Sequence, residues 1–294
     1  MYILFGIATT ALAVCLDYLL ITNLDLSFHT VSLLFIFPMG GFLLGILCGS
    51  GIFLYLSLRN VKAAGKHYLA AALIAFTGFW GVNYLTYASA YINNGELNYK
   101  FQGEHISNYM YNNTEAFSFS NYLDFNFKNA ESTFRYKSIE MVGPVNYGEG
   151  INKISFFLDA LGFVLGGLGA GLLILKDKIY CDKCKKYLKE KNLYNFTFSD
   201  SDREITDLQT ALQGTEEELD DFISQERPKV KKKPEAYISV NLTYCPCCND
   251  GFIHLKFMQA VKKPGHMMTW KENKYYNKRL KLDNGKVSLI SDLV

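Results

Sequence analysis

Basic residues are scarce over most of this 294-residue chain: only 8 of its 30 Lys and Arg precede Lys176. From Lys176 onward 22 basic residues face 18 acidic ones, and before it 8 face 10, so neither part carries the strong positive excess of a nucleic-acid binder. Residues 93–153 contain no cysteine, so a disulfide-stapled secreted fold is excluded there. The chain also lacks a Walker loop, a dinucleotide fingerprint, HExxH, GxSxG and paired acid motifs. No catalytic residue is assigned, and an enzyme reading would need a site that these motifs do not announce.

What is present is apolar length. Residues 2–22, 31–58, 68–92 and 154–175 form four runs that meet the roughly 20 helical residues needed to cross a hydrocarbon core. The second run is long enough to require a tilt, or a bend near Pro38. The first begins MYILFGIATT, without a basic leader, and reads as an uncleaved helix rather than a signal peptide. The expected fold class is an α-helical multi-pass membrane protein with four transmembrane helices, a small β-rich extracytoplasmic insert and a cytosolic zinc-ribbon-like α+β domain. Its expected divisions are helices 1–3 within residues 1–92, the insert at 93–153, helix 4 at 154–175 and the cytosolic domain at 176–294, with a helical insertion near 199–226.

Orientation follows the basic residues. The loop after run two carries Arg59, Lys62 and Lys66, and seven lysines follow run four by residue 191, whereas the loop after run one has neither Lys nor Arg. Positively charged loops stay inside, so both termini are expected in the cytoplasm and residues 93–153 outside, in a plasma membrane or bacterial inner membrane. Membrane lipid is therefore one expected partner. The Lys, Asn, Tyr and Phe bias suggests an AT-rich, bacterial genome.

That orientation places CDKC at 181–184 and CPCC at 245–248 in a reducing compartment, where clustered cysteines point to metal rather than disulfides. Two C-x2-C pairs supply four thiolates, Cys181, Cys184, Cys245 and Cys248, enough to close a tetrahedral zinc site. Cys247 is a rival to Cys248; the wider spacing suits the turn better. His254 and His266 are possible substitute ligands, and redox use of the thiols is a competing reading. Around the second pair, EAYISVNLTYCPCCNDGFIHLKFMQAV reads as strand, knuckle and returning strand. Residues 181 to about 260 resemble the zinc-ribbon family. The resemblance implies a structural zinc ion and small antiparallel strands, and it implies no reaction.

Other expectations concern local structure. Ile205, Leu208, Leu212, Leu219, Phe222 and Ile223 recur at helical spacing with a break at Gly214, and Asp202 is a candidate cap. RPKVKKKP at 227–234 is a solvated linker or a contact for anionic lipid. RLKL, DNGK and VSLI read as a terminal hairpin, and its interleaved Lys and aromatic residues suit a solvent-facing strand better than nucleic acid. FSFSNYLDFNFK at 117–128 alternates like a strand, as does STFRYKSIEMV. The NNT sequon at 112–114 matters only in a glycosylating cell.

Within the apolar runs, Gly41, Gly45 and Gly49 are spaced for close helix approach, as are Gly162 with Gly166 and Gly167 with Gly171. They serve packing inside the bundle or between copies, so a homo-oligomer is an open expectation. Asp17, Asn83 and Asp159 lie at a common depth in the outer half and form a possible polar membrane site, unless they stay wet at the interface. The expected function is a membrane-embedded adaptor, sensor or regulatory subunit whose zinc ribbon binds a partner protein. The alternative is an oligomeric channel or membrane-disrupting effector gated by the cytosolic domain, of a kind that could serve in bacterial defence.

Overall fold

The computed structural model describes residues 1–33, 37–112, 115–130, 132–136, 139–176, 178–197, 201–225, 236–261, 269–273, 275 and 277–293. The chain divides into two compact units, Met1–Asp177 and Lys178–Val294.

Four long helices build the first unit: α1 (Tyr2–Leu24), α2 (Met39–Leu58), α3 (Gly65–Ala88) and a fifth in chain order, α5 (Glu149–Leu175). Each is long and apolar enough to cross a membrane, with mean hydropathy of 2.0, 2.0, 1.4 and 2.0. Their outward faces are apolar too: Leu4, Leu69, Phe157 and Leu172 are exposed. In water these faces would carry a large hydrophobic penalty; against hydrocarbon they carry none.

The second helix is shorter than its apolar run. A 3-10 turn at Phe28–Thr30 is followed by a reversal in which Leu33 and Phe37 pair and the Gly40 N–H donates to the Val31 carbonyl at 2.8 Å. Pro38 then caps α2, which has 20 residues. Proline without an N–H is tolerated at a helix start, where that donor would be unpaired. The bend expected near Pro38 is therefore the beginning of the helix.

Glycine sets the packing of α2 on α5. A Cβ at Gly41 would lie 2.9 Å from the Asp159 carbonyl, one at Gly49 would lie 2.5 Å from the Gly167 carbonyl, and one at Gly45 would strike the Phe163 carbonyl. In return a Cβ at Gly166 would strike the Phe42 carbonyl, one at Gly162 would press on Pro38 at 2.8 Å, and one at Gly167 would lie 2.9 Å from the Ala71 carbonyl of α3. Gly171 lies against the rings of Tyr68 and Phe53. These glycines serve contacts inside the bundle, where backbone meets backbone.

Between α3 and α5 lie β1 (Tyr91–Asn93), β2 (Glu96–Asn98), β3 (Glu104–His105), β4 (Met110–Tyr111), β5 (Glu115–Ala116), the helix α4 (Phe119–Asn129), β6 (Ser132–Tyr136) and β7 (Ile139–Val145). The strand expected at 117–128 is thus mostly helix. Ser118 accepts from the Asn121 N–H at 3.3 Å, Asp124 pairs with Lys128 one turn on at 2.7 Å, and Tyr122 is buried with Ala90, Ile106 and Phe117. A cap, an i,i+4 ion pair and one buried face outweigh the period-two pattern. The single strand expected over STFRYKSIEMV is instead two, β6 and β7, paired antiparallel with each other. Thr114 of the sequon lies outside the described residues.

The second unit begins with a two-strand knuckle, β8 (Tyr180–Cys181) and β9 (Lys186–Tyr187). It continues into a five-stranded antiparallel sheet of β10 (Lys189–Thr197), β11 (Ala236–Tyr244), β12 (Gly251–Val261), β13 (Thr269–Glu272) and β14 (Lys278–Leu282). The order is β10-β11-β12-β13, with β14 also on β12. Helices α6 (Ser201–Gln213) and α7 (Glu216–Ser224) break at Gly214, and Thr215 with Glu218 forms a capping box. Asp202 lies inside the first turn of α6 rather than ahead of it as a cap. The lysine run at 227–234 lies outside the described residues.

The expected terminal hairpin is corrected. RLKL is strand β14, but VSLI belongs to a helix, α8 (Asn284–Leu293). Helical spacing puts Val287 and Ile290 on one face, and both are fully buried with Leu208, Leu219, Val240 and Ile253. A strand would send the two to opposite faces. Lys286 donates to the carbonyls of Leu212 and Gly214, tying α8 to the end of α6.

Candidate metal centre and a buried polar pair

Each cysteine pair sits in a turn between antiparallel strands. Cys181 ends β8, Cys184 follows, and Lys185 takes a left-handed φ of 55° before β9 returns. The second turn repeats this arrangement. Cys245 follows β11, Cys248 comes three residues on, and Asn249 takes a φ of 52° before β12. The Cys245 N–H donates to the Asp250 carbonyl at 2.9 Å, and the Asn249 N–H donates to the Cys245 carbonyl at 3.0 Å. A left-handed residue after the second cysteine closes each turn and aims both sulfurs to one side.

The four sulfurs of Cys181, Cys184, Cys245 and Cys248 lie within 4.8 Å of one another, and Cys181 Sγ is 3.8 Å from Cys248 Sγ. A tetrahedral ion with metal–sulfur bonds of about 2.3 Å spaces its ligands by about 3.8 Å. A disulfide would bring two sulfurs to about 2.05 Å, and all the cysteines are free. The four residues are placed to hold a metal ion. Cys247 is exposed and outside this group. His254 lies in mid-strand opposite Asn241 and Arg279, apart from the four sulfurs, and His266 lies outside the described residues.

Proton affinity within the cluster is uneven. Burial pushes the Cys245 thiol up, but the backbone N–H groups of Cys247 and Cys248 and the neighbouring thiols outweigh it and bring it down to about 7. Cys184, hydrogen-bonded to Cys248 and partly shielded from water beside the other thiols, is pushed up to about 12. Four sulfurs this close cannot all be thiolates without a cation among them, and a metal ion held there would supply that charge.

The apolar unit holds a second polar grouping. Asp17 of α1 is 1% exposed and His29, in the 3-10 turn, 4%. Asp17 Oδ1 accepts the His29 backbone N–H at 3.0 Å, and Oδ2 lies 2.8 Å from His29 Nδ1. Asp159 of α5 is 9% exposed and makes no hydrogen bond to another described side chain. The buried Asn83 amide donates to the Phe79 carbonyl of its own helix at 2.9 Å. Sequence reasoning missed His29. The one hint was a histidine in a short loop without Lys or Arg, twelve positions beyond an aspartate in an apolar run.

No family model, curated protein or solved structure matches the chain.

Proposed function

We propose that the chain is a four-span membrane protein with both termini in the cytosol, and that its second unit is a zinc-ribbon-like domain built around one structural Zn2+. In this reading residues 93–153 face outward, and the cytosolic domain docks a partner protein, so the molecule is an adaptor, sensor or regulatory subunit. The observation that carries the reading is the cluster of four sulfurs. It lies in a small β-rich unit and begins six positions after the last residue of an apolar helix. A closed four-thiolate site has no open position for substrate, so the ion serves folding and shape. Chemical crosslinking in native membranes followed by affinity capture tests it. A defined protein crosslinked through residues 178–294 supports the adaptor, and recovery of the chain alone argues against it.

A second reading rests on the buried Asp17–His29 pair with Asp159 nearby. Ionisable groups inside a bundle are costly and often mark a path for ions. An oligomeric channel would show ion flux in reconstituted vesicles that Asp17→Asn or Asp159→Asn abolishes.

A further inference from the structure

One face of the five-stranded sheet packs on α6, α7 and α8; the other holds a cleft of about 450 Å³. The cleft is more open to solvent than enclosed. Its floor is a preset row of polar groups. Asn192 Nδ2 donates to Ser239 Oγ at 2.8 Å and to Asn241 Oδ1 at 3.0 Å, and Asn241 is only 6% exposed. A register shift between Asn192 and Tyr194 makes this row. The extra residue lets Leu193 and Tyr194 both pack on the core while Asn192 stays on the cleft side.

Charge around the cleft is unbalanced. Lys256 Nζ is paired with Glu190 Oε1 at 2.5 Å, and the two offset each other. Glu272 has no such partner among the described residues. Its Oε1 accepts from Asn277 Nδ2 at 2.6 Å, and Asn277 is itself fixed because its Oδ1 accepts the Phe257 N–H at 3.0 Å. Asn277 therefore orients the carboxylate without neutralising it. Tyr237 forms an aromatic wall, braced edge-to-face by Trp270 at 4.7 Å.

We propose that this cleft binds a guanidinium group, with the oriented Glu272 carboxylate as its counter-ion and Tyr237 with Trp270 as its aromatic wall. Guanidinium presents several N–H donors in one plane to a carboxylate and stacks on aromatic faces. An anionic ligand would meet a carboxylate that has no cationic partner among the described residues. The group comes from a free guanidine or from an arginine side chain of a polypeptide, and the inference holds whether or not the domain docks a protein.

Trp80 and Trp270 are the two tryptophans, so Trp80→Phe makes Trp270 the sole fluorophore. In full-length Trp80→Phe protein in detergent, agmatine is expected to change Trp270 emission saturably, with half-saturation below about 10 mM. Glu272→Gln should weaken binding at least about tenfold, while Glu217→Gln, exposed on α7, should not. Asn277→Ala, which frees the carboxylate, should weaken it several-fold. Thermal stabilisation of the unmodified protein by agmatine gives a readout free of the tryptophan change. A short arginine peptide run in parallel assigns the source: tighter binding than agmatine indicates a polypeptide, weaker binding a free guanidine. If neither ligand binds saturably, if glucose produces the same response, or if Glu272→Gln binds as well as its parent, the proposal is overturned.

Discussion

His29 reaches back to Asp17 with both its backbone N–H and its imidazole, so a single carboxylate pins the turn between the first two helices. Gly40 completes the seat, since a Cβ there would strike the Phe28 carbonyl. Removing one partner of a buried hydrogen-bonded pair leaves the polar atoms of the other unsatisfied, at a cost of about 1–3 kcal/mol. Asp17→Asn and His29→Gln should each lower the thermal midpoint in detergent, and the double variant should cost less than their sum. Strict additivity would show that the two side chains do not interact.

Two glycines of the bundle should respond in opposite directions. Gly45→Ala drives a methyl group onto the Phe163 backbone, which cannot yield as a side chain would, so a loss of about 1–3 kcal/mol is expected. At Gly169 the nearest atom to an added Cβ is Phe42 Cζ at 3.8 Å, an ordinary contact. Gly169→Ala should be neutral or stabilising by up to about 1 kcal/mol. Equal effects in thermal unfolding would remove the case for backbone contact between α2 and α5.

The C-terminal helix is expected to be part of the core. Ile290→Ala should destabilise the second unit by about 2–5 kcal/mol, and Ser288→Ala should change little. Denaturant unfolding of the full chain in the Trp80→Phe background, followed through Trp270, measures both. An Ile290→Ala variant as stable as its parent would contradict the packing of α8 on the sheet.

Orientation is tested by labelling from one side. Ser120, exposed on α4, and Lys62, exposed after α2, should fall on opposite sides of the membrane if the basic loops are inside. A cysteine at Ser120 should react with impermeant maleimide on intact cells, and one at Lys62 only after lysis. The reverse pattern would invert the topology and place the four-cysteine unit outside.

Much of this architecture is legible in the sequence because it rests on strong, local signals. Four apolar runs give four apolar helices, the β11–β12 alternation brackets a C-x2-C turn, and Gly214 separates two helices with Thr215 ready to cap the second. What was misread turns on competition between periods or on distant contacts. VSLI satisfies period two as well as a helix does, and only burial of Val287 and Ile290 against α6 and α7 decides it. Residues 117–128 alternate, yet the Ser118 cap and the Asp124–Lys128 pair favour a helix. His29 carries no periodic signal, because its partner lies in another helix. The glycine spacing was visible, while the surface it faces became clear only where each missing Cβ would meet backbone.

The account depends on one ion joining Cys181, Cys184, Cys245 and Cys248, and zinc K-edge X-ray absorption on the purified full-length protein tests it most directly. The expected result is one zinc per chain surrounded by four sulfurs at about 2.3 Å, with Cys181→Ser or Cys245→Ser losing both the metal and the fold of the second unit. A fully folded protein without zinc, or one whose zinc is bound by nitrogen and oxygen, would contradict it.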